Sequence, residues 1–409
     1  MTRRELLISL FCLFTLSAWS QKMVVSGKVT DIETGRLLPL ANVSVAEGHT
    51  TVVTNDEGFF TLKCDSMPSS ITVSHIGYQT SQMPLKGREP AVLSIRLKPS
   101  PVRLQEILVW TGNPRQLVEL AMSKIPANYG VSAERYNCFY RETAMKRQHY
   151  IYVAEGVVDM YKTGYDRQNT HRDRVAIIKG RRLLSPKQDD TLAVKVIGGP
   201  VLPIQLDVVK NQDFLLNDEE LANYAFTMLP PTTIGSRLQF VVAMEPACER
   251  EYALYHGRLY IDHETLAFTR AELSLDMENR TKATNYMLVR KPAGVRFRPK
   301  ELSTLIDYRL DNGVTRINYI RSTFRFNCDW RRRLFATSYV ATCEMVVTEH
   351  LEKTGLPISS RSSFDRHDAF FDRVDYFRDP LFWSDYNIIE PTETLDTAIG
   401  RLIKKHQRK

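Results

Sequence analysis

The residues that could do chemistry are nine histidines, a handful of cysteines and a dispersed set of carboxylates. Zinc hydrolases that grip their metal through His-x-x-Glu need glutamate three residues after a histidine, and none of the nine has it. His263-Glu264 lacks a second histidine at the spacing of a helical metalloprotease motif. His256 and His263 lie seven apart, so one continuous strand would turn them to opposite faces and away from a shared metal. There is no Gly-x-Ser-x-Gly elbow, no phosphate-cradling glycine loop and no local Cys–His pair. Neither a cofactor nor a metal site is expected. A hydrolase stays open only through carboxylates that converge from distant segments.

Two stretches are candidates for binding. Trp330-Arg331-Arg332-Arg333 falls at an expected hairpin tip, where one aromatic ring and three guanidinium groups could meet phosphate or an anionic glycan. The same charges would also keep a strand edge from aggregating. Phe139-Tyr140-Arg141-Glu142 could bind a ligand, or could supply core packing with an ion pair. The tail from Thr392 carries Leu395, Ala398, Ile399, Leu402 and Ile403 at helical spacing, then Lys404-Lys405-His406-Gln407-Arg408-Lys409. It could dock on the body or lie on an anionic membrane, and Gly400 within it favours docking.

The elements that must position these residues begin after a leader. Thr2-Arg3-Arg4, the apolar run Leu6 to Leu16 and Ala18-Trp19-Ser20 before Gln21 read as a cleaved export signal over residues 1–20. Export lowers the net charge from +8 to +7, with basic and acidic residues well mixed. An exported chain without a basic stripe is not expected to bind nucleic acid, while mild attraction to an anionic membrane surface is. Cys64, Cys138, Cys248, Cys328 and Cys343 are odd in number and widely spaced, so buried free thiols are expected rather than a disulfide framework. Six or seven short alternating runs separated by Asp, Asn and Gly turns occupy residues 21–98, the spacing of a small β-sandwich. A linker over 99–112 contains Pro99-Ser100-Pro101. Asn113-Pro114 then opens a helix with Leu117, Leu120, Ala121, Met122 and Ile125 on one stripe. From Tyr136 to His350 the pattern is antiparallel β, with long strands joined at Asp311-Asn312-Gly313. Short helical turns are expected within Leu192 to Val209 and over Glu219 to Leu229, and separate strands over Thr284 to Val289, Val295 to Phe297 and Leu302 to Leu310.

Two resemblances add to this reading. Gly27-x-Val29-x-Asp31, Leu38-Pro39-Leu40-Ala41-x-Val43, Thr54-x-Asp56-x-Gly58-x-Phe60 and Gly77-Tyr78 resemble the carboxypeptidase-regulatory-like domain, a transthyretin-like sandwich. That module begins many outer-membrane nutrient receptors of Bacteroidetes, and Leu104-Gln105-Glu106-Ile107-Leu108-Val109 is similar to the run that follows it there. The hairpin Gly257-Arg258-Leu259-Tyr260-Ile261-Asp262 to Phe268-x-Arg270-Ala271-Glu272 resembles LolA-like half-barrels, whose bent sheets wrap a helix and can hold acyl chains. Roughly 300 residues follow the first module and the chain closes on Gln407-Arg408-Lys409, so no transmembrane barrel is expected.

The expected architecture is mainly β. A seven-stranded N-terminal sandwich precedes a larger curved antiparallel β domain with one or two packed helices over residues 113–390, then a basic helical tail over 391–409. The expected function is a non-enzymatic cell-envelope binding protein, periplasmic or outer-membrane-associated, that carries or senses a lipid or glycan. The alternatives are a structural adaptor of an outer-membrane complex and a hydrolase with a dispersed carboxylate site.

Overall fold

The computed structural model describes residues 22–45, 50–85, 92–100, 110–186, 194–330, 335–351, 357–365, 368–376 and 382–407. The expected leader, most of the expected linker and Arg331, Arg332 and Arg333 lie outside the described residues.

Seven short strands come first: β1 (Met23–Asp31), β2 (Asn42–Val45), β3 (Thr51–Val53), β4 (Phe59–Cys64), β5 (Ser70–Ser74), β6 (Ser81–Pro84) and β7 (Val92–Leu97). They form two sheets, β4-β1-β7 and β3-β2-β5-β6. Period-two alternation sends Val25, Val29, Leu62 and Ile95 from one sheet, and Val43, Val52, Ile71 and Val73 from the other, into one buried cluster. Gly27 lets the sheet close, because a Cβ there would sit 2.8 Å from both the Leu93 carbonyl and the Phe60 ring. Asp31 ties the ends of the motif together. Its Oδ1 accepts from the Glu33 and Thr34 amides while its Oδ2 accepts from the Tyr78 hydroxyl at 2.7 Å.

The rest of the chain builds one large curved sheet. In chain order its strands and their satellites are β8 (Glu134–Lys146), β9 (His149–Lys162), β10 (Arg174–Leu184), β11 (Lys195–Val196), β12 (Tyr224–Ile234), β13 (Arg237–Pro246), β14 (Tyr255–Asp262), β15 (Phe268–Leu275), β16 (Leu288–Arg290), β17 (Val295–Asp311), β18 (Val314–Trp330), β19 (Thr337–Leu351) and β20 (Asp375–Tyr376). The sheet order is β12-β13-β14-β15-β17-β18-β19-β8-β9-β10-β20, with β11 and β16 pairing separately. Two meanders therefore meet where β19 returns to β8. The 17-residue strands β17 and β18 turn on Asn312 and Gly313, both at positive φ, as a two-residue hairpin with right-handed twist demands.

Apolar residues of one face, here the core face, pack against α1 (Pro114–Ser123), α2 (Ile125–Asn128), α3 (Leu202–Gln205), α4 (Asp218–Leu221) and α5 (Arg280–Met287) in one continuous cluster. Asn113 caps α1 by accepting from the Arg115 amide, and Leu117, Val118 and Ala121 are its buried stripe. Leu120, expected on that stripe, is exposed, because Val118 takes the inward position. Asp207 pins the loops around α3. Fully buried, it accepts from Lys162 Nζ (2.8 Å), Tyr165 (2.8 Å) and Tyr308 (2.7 Å).

Three expectations change. Glu219 to Leu229 is helical only for the single turn α4, after which β12 begins at Tyr224. Thr284 to Val289 is mostly the helix α5, started by Asn279, whose side chain accepts from the Thr281 and Lys282 amides. The separate strands at Val295 and Leu302 are one strand that passes Pro299 through a register shift, where proline's missing donor is tolerated. Cys64, Cys138, Cys328 and Cys343 are buried free thiols, whereas Cys248 is exposed. Among the described residues no helix is long and apolar enough to cross a membrane.

The opposite face, here the sandwich face, carries an alternating charge ladder. Glu155 on β9 accepts from Arg141 Nε of β8 (2.8 Å), Arg181 Nε of β10 (2.8 Å) and Trp383 Nε1 (3.1 Å). Burial pushes its carboxyl up, but the two guanidinium groups outweigh it and hold it below the usual range. Around this knot Val53 of the sandwich packs with Phe139, Val157, Tyr319, Val346, Trp383, Ile388 and Ile389. The C-terminal segment also bonds the sandwich directly. Lys63 and Asn387 exchange two hydrogen bonds (2.7 and 2.9 Å), and Lys63 Nζ donates to the carbonyls of Trp383 and Tyr386. Helix α6 (Glu393–Gln407) then lays Leu395, Ile399 and Leu402 on Val153 and Leu183, so the tail docks on the body.

Glu155→Ala removes the carboxylate that two buried guanidinium groups share and should cost about 3–5 kcal/mol in urea unfolding. Arg115→Ala, which breaks a surface i,i+4 pair, should cost less than about 0.5 kcal/mol. Equal costs for the two variants would refute the central role given to Glu155.

Candidate functional site

The sandwich does not lie flush on the large sheet. Its Ser74-His75-Ile76-Gly77 corner meets the β12–β13 turn, where the Gly77 amide donates to the Thr233 carbonyl (2.7 Å) and the Thr80 amide to Ser236 Oγ (2.8 Å). Further along the interface, Leu40 and Val53 close against the sheet. Between these two seams lies a crevice of about 270 Å³.

Strand alternation lines both walls. With Val43, Val45, Ile71 and Val73 turned into the sandwich core, Asn42, Ser44, Thr72 and Ser74 of β2 and β5 face the crevice. The sheet wall is more strongly charged. Arg237 grips Asp262 with two bonds of 2.7 Å, and Asp262 also accepts from Gln239 and from the Glu264 and Thr265 amides and the Thr265 hydroxyl. Burial raises the Asp262 carboxyl, yet Arg237 and Thr265 more than offset it and hold it at about 2. Arg270 donates to Glu272 (2.9 Å) and Asp307 (3.4 Å). Burial dominates at Asp307 and raises its carboxyl above the usual range despite Arg270.

Three groups in this lining are unmatched among the described residues. Arg309 shares a face with Asp307 by alternation on β17 and makes no hydrogen bond or ion pair. Its cross-strand partner is Arg316, whose own guanidinium is taken by Glu134 at 3.0 and 2.9 Å. Burial, with Arg316 beside it, lowers the Arg309 pKa although Asp311 opposes the shift. Asn318 is the extra residue where the β17–β18 register shifts, and its buried Oδ1 has no donor. Thr80 Oγ1 is likewise buried without a partner. Each of the two buried oxygens ordinarily costs about 1–3 kcal/mol, so their gathering beside Arg309 at one crevice needs a reason.

His75 stands at the rim with Nδ1 2.9 Å from the Ile76 carbonyl and Nε2 3.1 Å from the Pro39 carbonyl. Burial, with Arg270 nearby, lowers its pKa against the pull of those two carbonyls.

The residues singled out from sequence go elsewhere. Phe139 and Arg141 lie on the sandwich face, Phe139 edge-on to Trp383 and Arg141 buried against Glu155 and the Ile389 carbonyl. Tyr140 and Glu142 lie on the core face, where Glu142 accepts from Tyr140 (2.8 Å) and from Tyr152, and burial raises its carboxyl. The four-residue run is thus divided between two interiors. Trp330 packs partly buried at the end of β18. A basic depression of about 550 Å³ lined by Arg147, His149, Lys300 and Arg325 lies toward the same end of the sheet. Among the described residues no three His, Cys, Asp or Glu side chains are grouped to hold a metal ion.

The crevice escaped the sequence reading as a unit, although the quoted hairpin supplies Asp262 and Arg270 to it and the residues just before Gly77-Tyr78 supply Ser74, His75 and Ile76. Comparison with known proteins bears on the sandwich alone. Residues 25–109, about a fifth of the chain, match the CarboxypepD_reg-like domain. No curated protein matches the chain. Among solved structures, a domain assigned to outer membrane lipoprotein sorting from Vibrio parahaemolyticus aligns at 11% identity and a TM-score of 0.30, over 60% of this chain and 95% of that one. A DUF1329 family protein from Desulfovibrio piger aligns at 10% identity and a TM-score of 0.24 with the same coverage. Likenesses this low carry no argument about function.

A histidine whose folded pKa lies below its unfolded one stabilises the fold fully above pH about 6.5, and that stability drains away as pH falls toward the folded pKa. His75→Gln should therefore lose less stability than the wild type between pH 7 and pH 5 in parallel urea titrations. Identical pH profiles would remove His75 as a contributor to acid sensitivity.

Proposed function

We propose that this chain is an exported, non-enzymatic binding protein of the cell envelope and that its ligand occupies the crevice between sandwich and sheet. The observation that carries the reading is the set of unmatched groups, Arg309, Asn318 Oδ1 and Thr80 Oγ1, turned toward one polar hollow. The leader and the regulatory-like module support export. The core face, where an acyl chain would have to lie, is filled by the protein's own side chains from α1, α3 and α5. Of the two ligand classes open from sequence, the polar crevice favours a glycan-like molecule over a lipid.

The hydrolase alternative finds its nearest counterpart in Asp262 and Asp307. Asp262 takes six donors, more than the roughly four lone-pair sites a carboxylate offers, so it is saturated and has no capacity for nucleophilic or base work. The adaptor alternative rests on a separate feature. Val24, Phe59 and Val92 stand exposed on the outward face of β4-β1-β7, a surface suited to a protein partner.

Organic-solvent extraction of protein purified from its native envelope should release no stoichiometric acyl lipid, whereas aqueous denaturation should release a polar ligand. Stoichiometric lipid in the extract overturns the crevice reading. A pull-down that loses an envelope partner in a Val24→Glu, Val92→Glu variant would support the adaptor instead.

A further inference from the structure

Resting on the crevice as the ligand site, the charge count of its lining narrows what can sit there. Of the three guanidinium groups in the lining, Arg237 is held by Asp262 and Glu264, and Arg270 by Glu272 and Asp307. Arg309 is the one without a carboxylate in contact among the described residues, so it is the guanidinium open to a ligand. A dianionic phosphate would bring more negative charge than this site can offset, and it would lie near carboxylates that repel it. A neutral sugar would leave Arg309 unmatched. A single carboxylate fits both constraints, because the planar guanidinium can hold it through two parallel hydrogen bonds.

The remaining unmatched atoms specify the rest of the ligand. Asn318 Oδ1 can only accept, so it calls for an O–H or N–H donor on the ligand. Thr80 Oγ1 can take either role. The opposite wall offers Ser44, Thr72 and Ser74, short polar side chains that leave room and add hydroxyls. A volume of about 270 Å³ equals about nine waters of liquid, enough for one small ring or a short chain and too little for an oligomer. We infer that the crevice binds a small monocarboxylate carrying hydroxyl or N–H donors, held by Arg309 and read by Asn318 and Thr80. A sugar acid and an amino acid share this chemistry.

Isothermal titration of the full mature chain with glucuronate, glutamate, glucose and inorganic phosphate tests the assignment. Saturable one-to-one binding of glucuronate or glutamate is expected, weakened roughly tenfold or more by Arg309→Gln, with glucose and phosphate silent. Binding of glucuronate alone identifies a sugar acid as the source, and of glutamate alone an amino acid. Thr72→Trp, which fills the hollow from the sandwich side, should abolish whatever binding is seen. Because Arg309 has no partner, Arg309→Gln should leave the unfolding midpoint unchanged or raise it, whereas an arginine kept for structure would lower it. If glucose or phosphate binds, is lost in Thr72→Trp and is indifferent to Arg309→Gln, the carboxylate assignment falls and the crevice site stands. Binding that survives Thr72→Trp overturns both. Silence from both carboxylates at millimolar concentration overturns the assignment as well.

Discussion

The seating of the C-terminal segment on the sandwich face depends on one buried carboxylate. Glu155 could not stay ionised at that depth by itself, since transfer of an isolated charge from water costs several kcal/mol. It stays because Arg141 and Arg181 reach it from the neighbouring strands on either side, and Trp383 reaches it from a segment more than 200 residues away. Such a knot adds little net stability over an apolar core, but it is intolerant of misplacement. Strands β8, β9 and β10 must be in register, and the C-terminal segment must be seated, before the charge is satisfied.

That constraint explains why the sandwich sits where it does. Trp383, Ile388 and Ile389, held by the knot, form the platform against which Val53 packs, and Asn387 reaches from the same segment to Lys63. Arg321 and Asp56 add a more exposed pair at the same seam. The seam is firm along this line and at the Gly77–Thr233 contact, and the crevice is what two curved surfaces leave between two fixed lines of contact.

The parts legible in the sequence are those whose cause is local. Asp31 and Asn55 cap turns within a few residues of themselves, so the sandwich can be read from its turns. The hairpin at Asn312-Gly313 and the cap at Asn113 are local in the same way. The burial of strand β10 could not be read, because Lys179, Arg181 and Arg182 resemble a solvated charge run, and only the fold supplies Glu155 and Phe382 as partners of Arg181 and Lys179. The α5 helix stands where a strand over Thr284 to Val289 was expected, although Asn279 carries a usable start signal. The crevice could not be read as a site, because Thr80, Arg237, Arg270, Arg309 and Asn318 become neighbours only through sheet order and sandwich docking. Arg141 drew notice for its chemical type, and its role turned out to be set by burial.

The attachment of the sandwich through residues 382–393 also sets an order of events when the chain is made. The sandwich is synthesised first and can close its own core from contacts less than about 70 residues apart. Its docking groups, Asn55, Glu57 and Lys63, must then wait more than 320 residues for Pro391, Glu393 and Asn387. Until residues 382–393 emerge, the Arg141–Glu155–Arg181 cluster lacks its cover and the sandwich is held by the Gly77–Thr233 seam and the Arg321–Asp56 pair without its platform. A chain stalled before them presents an open charged surface and a half-seated N-terminal module, features a protease can tell apart from the sealed product.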